Sequence, residues 1–65
     1  MKTDFYEADP FTLHKGSLLA MADTEYRFEK SEEFFIEGKG KFRVVFVVVR
    51  LAGTTFSREV LLIKI

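Results

Sequence analysis

The sequence predicts an all-β domain: a small antiparallel meander of four or five strands curled into an open barrel or half-sandwich. Three observations carry that prediction. Residues 41–51 and 55–65 are two runs dense in Val, Ile, Leu and Phe, joined about Gly53-Thr54, and they read as one long hairpin. Glu25-Tyr26-Arg27-Phe28-Glu29-Lys30 alternates polar and aromatic residues with the period of a half-buried strand. Asp23-Thr24, Ser31-Glu32 and Gly38-Lys39-Gly40-Lys41 punctuate the rest of the chain as turns and bends.

Residues 1–10 read as an N-terminal arm and residues 11–65 as a single small β domain. Pro10 biases Asp9 towards extended backbone and opposes a helix across the junction, while Phe5, Tyr6 and Phe11 can dock the arm on a core. The stretch 17–22 has two readings. Ser17 is a good cap and Leu18-Leu19-Ala20-Met21-Ala22 are good helix formers, which gives one short helix; the same residues also suit a strand. Residues 25–30 form the alternating strand, with Tyr26 and Phe28 on one face, and Glu33-Phe34-Phe35-Ile36-Glu37 forms another short one.

The final hairpin is apolar on both faces. Pairing it about Gly53-Thr54 sets Leu51 opposite Phe56, Val47 opposite Val60 and Val45 opposite Leu62. The other face then takes Val48 with Glu59, Phe46 with Leu61, Val44 with Ile63 and Phe42 with Ile65. A strand wetted on one face alternates apolar and polar residues, so this one needs a cover on each side. The chain's first half supplies one cover. The second falls to the arm, to a helix at 17–22 or to another copy of the chain. The last strand, Leu61 to Ile65, is also a candidate sheet edge for strand addition.

Composition narrows the function classes. A chain of 65 residues buries only about 60% of its unfolded surface, and chains of that size commonly add disulfides, a metal or a partner subunit. There is no Cys and a single His, which removes disulfides and thiolate or His-rich metal sites, and no cofactor is expected. A hydrophobic fraction of 48% with 15% aromatics is that of a folded chain rather than a disordered one. Acids stand where a signal peptide would be apolar, and no run approaches a membrane span, so the expected location is cytoplasmic.

The net charge of zero is split along the chain. Residues 1–37 carry nine acids and four bases, a balance of −5; residues 38–65 carry six bases and one acid, a balance of +5. Either the halves neutralise each other across one small fold, or the surface is dipolar and steers partners.

Catalytic chemistry finds little support. His14 is the one candidate general base, Ser17, Ser31 and Ser57 sit in no nucleophile motif, and Glu32 and Glu33 point to opposite faces if they lie on a strand. The expected function is therefore a non-enzymatic protein–protein interaction module of the small inhibitor or adaptor type. It is expected to self-associate as a homodimer through an apolar hairpin face, with Phe34, Phe35, Phe42, Val44, Phe46, Val48, Leu61, Ile63 and Ile65 as contact residues. The alternative is a small β-barrel binding single-stranded nucleic acid. Lys39, Lys41 and Arg43 would then contact phosphate, with Phe42 stacking on a base.

Overall fold

The computed structural model describes residues 1–65. It contains five strands and no helix: β1 (Lys2–Ala8), β2 (Lys15–Asp23), β3 (Glu33–Ile36), β4 (Gly40–Ala52) and β5 (Thr55–Lys64). They form one curled, open half-barrel sheet in the order β2-β1-β5-β4-β3. No helix is long and apolar enough to cross a membrane.

Of the two readings of residues 17–22 the structure takes the strand, within β2. Other expectations about the strands are corrected. Residues 2–8 are not an arm: β1 is an interior strand, antiparallel to β2 on one side and parallel to β5 on the other. That parallel pair also breaks the purely antiparallel meander and makes β5 an interior strand, so the chain's last strand is not an edge. The free edges belong to β2 and β3, and to the part of β4 that β3 does not reach. A further correction concerns residues 25–30, which leave the sheet and run beneath it despite their strict alternation.

The final hairpin follows the expected register from the turn as far as Phe46: Leu51 faces Phe56, Val48 faces Glu59, Val47 faces Val60 and Phe46 faces Leu61. The turn fixes this part, because Gly53 alone of its two loop residues has positive φ (63°), as a two-residue hairpin with Gly first requires. Beyond Phe46 the expected register is overturned. Val45 is an extra, bulged residue, so Val44 faces Leu62 rather than Ile63, and Phe42 faces Lys64 rather than Ile65. A shift of one residue carries side chains to the other face. Val44 and Phe42 thereby join the face that holds Val60, Leu62 and Phe5.

That inner face carries the core: Phe5, Phe42, Val44, Val60 and Leu62, with Leu19, Ala20, Phe28, Phe34, Ile36 and Val47 packed around it. Phe28 belongs to the segment that runs beneath the sheet. Its ring meets Phe5 edge-on at 5.2 Å and lies 5.5 Å from Phe34, so this segment covers the inner face. Arg58 fastens it. The guanidinium is buried, donates to Thr3 Oγ1 at 2.7 Å and to the Thr24 carbonyl at 3.0 Å, and lies 5.1 Å from the Phe28 ring centre. A buried cation is tolerated when its donors are satisfied and a ring face supplies negative potential. At the far end, the amide and carbonyl of Val44 bond to Glu32 and Ser31, tying the segment to β4.

Candidate protein-contact face

The outer face of the sheet is assembled from the residues left over by that core. Cross-strand partners share a face, so the register places Leu18 of β2, Tyr6 of β1, Leu61 of β5 and Phe46 of β4 in one row across four strands. The next row holds Met21, Asp4, Glu59 and Val48. Leu61 is buried at the centre of the first row, while Leu18 is 47% exposed at one end and Phe46 46% at the other. Met21 and Val48 are also exposed. An apolar stripe running over four strands differs from the isolated surface hydrophobes that any protein carries.

A charged seam borders the stripe. Glu59 receives Lys15 Nζ at 3.4 Å on one carboxylate oxygen and Arg50 Nη2 at 3.6 Å on the other, and Lys15 also lies 4.7 Å from the centre of the Tyr6 ring. Asp4, beside Glu59 in register, keeps one buried carboxylate oxygen (Oδ1) with no donor in the chain. A buried acceptor left unmade costs about 1–3 kcal/mol.

The structure divides the contact residues expected from sequence. Phe42 and Val44 lie in the core, and half-buried Phe34 packs against them, pairing with Phe42 and meeting the Phe5 ring at 5.8 Å. These three line the inner side. Phe46, Val48, Leu61 and Ile63 stand together on the outer face, and Phe35, opposite Lys41, and exposed Ile65 lie towards its β3 end. Sequence reasoning missed Tyr6, Leu18 and Met21, which complete the stripe from the first two strands. Thr3 and Phe5 inward against Asp4 and Tyr6 outward is the alternation that signals β1, but two acids within seven residues mask it.

The residues of the nucleic-acid alternative are arranged differently from what it needs. Phe42 is 2% exposed, so its ring is not open to a base. Lys41 and Arg43 both turn to Glu33, at 3.3 and 2.8 Å, which leaves Lys39 on the turn as the unpaired cation of the three. The Arg43 and Lys41 hydrogen bonds hold the Glu33 carboxyl below the ordinary carboxylate range. Of the other carboxylates, Glu32 accepts from the Tyr26 hydroxyl and from the Glu29 amide, which lowers its pKa.

His14 sits on the loop between β1 and β2, beside an open polar hollow of about 460 Å³ formed with Glu7, Asp9, Thr12, Lys15 and Ser17. Asp9 shapes that loop by accepting the amides of Phe11 (2.8 Å) and Thr12 (3.0 Å), and those bonds lower its pKa. The charged halves of the sequence interleave across the sheet: the ion pairs of Lys15 with Glu59 near the β2 edge and of Glu33 with Lys41 and Arg43 at the β3 edge join residues of the acidic and basic segments.

Comparisons with protein-family models, with curated proteins and with solved structures find no match to this chain.

Proposed function

We propose that this chain is a non-enzymatic protein-interaction module of the small inhibitor or adaptor type. Its contact surface is the apolar stripe on the outer face of the β4–β5 hairpin and its neighbours, and the chain also self-associates through that hairpin. The observation that carries the reading is the row of Leu18, Tyr6, Leu61 and Phe46, half exposed at both ends and continuous over four strands. Fully burying one Leu or Phe side chain is worth about 1.5–3 kcal/mol, so a partner that covers this row gains about half of such a term at each of Leu18 and Phe46, with Met21 and Val48 of the next row adding to it. The footprint is adequate: the molecule measures 35 × 25 Å across its two longer axes, which accommodates the roughly 800 Å² per partner of a standard interface.

The test is solution mass by light scattering after size exclusion, at several protein and salt concentrations, for the wild-type chain and for Phe46→Glu. The expected result is a wild-type dimer that changes little with salt, because apolar burial dominates it, and a variant that shifts to monomer while keeping its circular dichroism spectrum. A wild-type chain that stays monomeric at every concentration would defeat the self-association part of the reading.

A further inference from the structure

We infer that the second copy docks along the free edge of β4, residues 46–52, in antiparallel register about a twofold axis at Val49. This inference rests on the self-association reading above and names the element that performs it.

β3 pairs with β4 only from Gly40 to Arg43, and the Ser31-Glu32 segment then takes both backbone groups of Val44. From Phe46 to Ala52 the one neighbour of β4 is β5. Ala52 and Thr55 close the two-residue turn, which makes them a hydrogen-bonded pair, and the alternation of an antiparallel ladder then directs the backbone groups of Ala52, Arg50 and Val48 towards β5. Those of Val47, Val49 and Leu51 therefore point outward, three N–H and three C=O groups in a row. None of the backbone hydrogen bonds outside the strand ladders involves residues 45–56.

Sheet edges are ordinarily blunted by Pro, by a bulge, by inward-pointing charge or by brevity. This stretch has seven residues, no bulge, no Pro and one charge, Arg50, among Phe, three Val, Leu and Ala. On its inner side Val49 and Leu51, with Phe56 opposite Leu51, are 56%, 59% and 53% exposed. They lie beyond the cover that Phe28 and Arg58 provide nearer the core.

The register follows from the same residues. With Val49 opposite Val49 of the second copy, Val47 meets Leu51 and Leu51 meets Val47, so all six outward groups are used in six hydrogen bonds. Arg50 then faces Val48 of the second copy. A register shifted by one pair in one direction sets Arg50 against Arg50, and like charges directly opposite are unfavourable. The same shift sets Val47 against Gly53 of the hairpin tip, so part of the free edge goes unused. The shift in the other direction sets Leu51 against the bulged Val45 and runs the hairpin tip into the edge of Val44, which Ser31 and Glu32 already occupy. The free stretch thus pairs with itself from end to end, which a closed twofold contact requires. The two five-stranded sheets become one sheet of ten strands, and Phe46, at the end of the outer apolar row, faces Ala52 of the second copy.

The decisive experiment uses charge at the proposed axis. Val49→Lys and Val49→Glu each place like charges against each other in a homodimer, and an equimolar mixture places Lys against Glu. The side chain of Val49 lies on the inner face, so neither variant touches a dimer made by stacking outer faces. Sedimentation velocity is expected to show each variant dimerising at least about tenfold more weakly than wild type. The mixture is expected to recover a heterodimer. Hydrogen exchange of the wild-type chain is expected to show the Val47, Val49 and Leu51 amides gaining protection in step with the dimer fraction.

Variants that remain folded and dimerise like wild type, or a mixture that recovers nothing, would overturn the edge and leave self-association standing through another surface. A wild-type monomer with freely exchanging amides at these three positions would overturn both.

Discussion

Glu33 stands opposite Arg43 in the ladder of β3 and β4, and it carries the charge balance of that edge. One oxygen accepts from Arg43 Nε at 3.2 Å and Nη2 at 2.8 Å; the other faces Lys41 Nζ at 3.3 Å. These partners favour the ionised form, and the carboxyl titrates below its ordinary value. A carboxyl whose folded pKa is depressed contributes stability that is fully present above its unfolded pKa, about 4.3 for Glu, and lost as pH falls through the folded value. The expected outcome is that Glu33→Gln lowers thermal stability at pH 7, and that the gap to wild type closes as the pH is taken to about 3. Glu33 is partly exposed, so the effect stays within the modest range of surface ion pairs. Paired melting curves over pH 3–7 check this, and a gap that does not change with pH would show that the ion pairs contribute nothing.

At the scale of the strand, the bulge at Val45 decides which face Phe42 and Val44 occupy. The turn residues, the length of the hairpin and its register near the tip were all legible, because Gly53 with positive φ fixes them locally. The bulge was not legible. Val44 to Val49 offers Val or Phe at every position, so each residue suits either face and a slip of one leaves the pattern unchanged. What selects the bulge is packing from elsewhere, since Phe34 pairs with Phe42 while Phe5 and Phe28 fill the space beneath. Residues 25–30 show the converse failure. Their alternation is genuine, yet Phe28 serves as a cover and Tyr26 as its neighbour at 4.8 Å, without a ladder on either side. The bulge predicts an asymmetry between two deletions. Removing Val45 leaves Phe46 facing Leu61 and Val44 facing Leu62 with the ladder merely regularised. Removing Val48 instead moves Phe46 into the inward place of Val47, an overpacking that costs about 1–3 kcal/mol, and turns Val47 outward. Denaturant midpoints should fall further for the Val48 deletion; equal losses, or a larger one for Val45, would contradict the bulge.

At the scale of the molecule, the chain's two ends are joined. β1 pairs in parallel with β5 from Lys2 opposite Ser57 to Glu7 opposite Leu62, a contact across some 55 residues of sequence that no local pattern announces. This is why the first ten residues read as an arm although they hold the sheet together. β2 has no ladder partner other than β1, and Phe5 brings its ring to both Phe28 and Phe34. A chain of 65 residues has a total stability of roughly 3–10 kcal/mol, and truncating one buried Phe alone costs about 3–5 kcal/mol. Deleting residues 1–8 removes Phe5, Thr3 and Ala8 from the interior, strands β2 without a partner and leaves the Nε–H of Arg58 without Thr3. The expected outcome is global unfolding: collapse of amide proton dispersion in the nuclear magnetic resonance spectrum, rather than the loss of eight signals from an otherwise unchanged one. A synthetic peptide of residues 1–8, added in excess, should restore part of that dispersion by taking its place between β2 and β5. If the shortened chain keeps its dispersed spectrum unaided, β1 is an accessory strand and the core from β3 to β5 stands by itself.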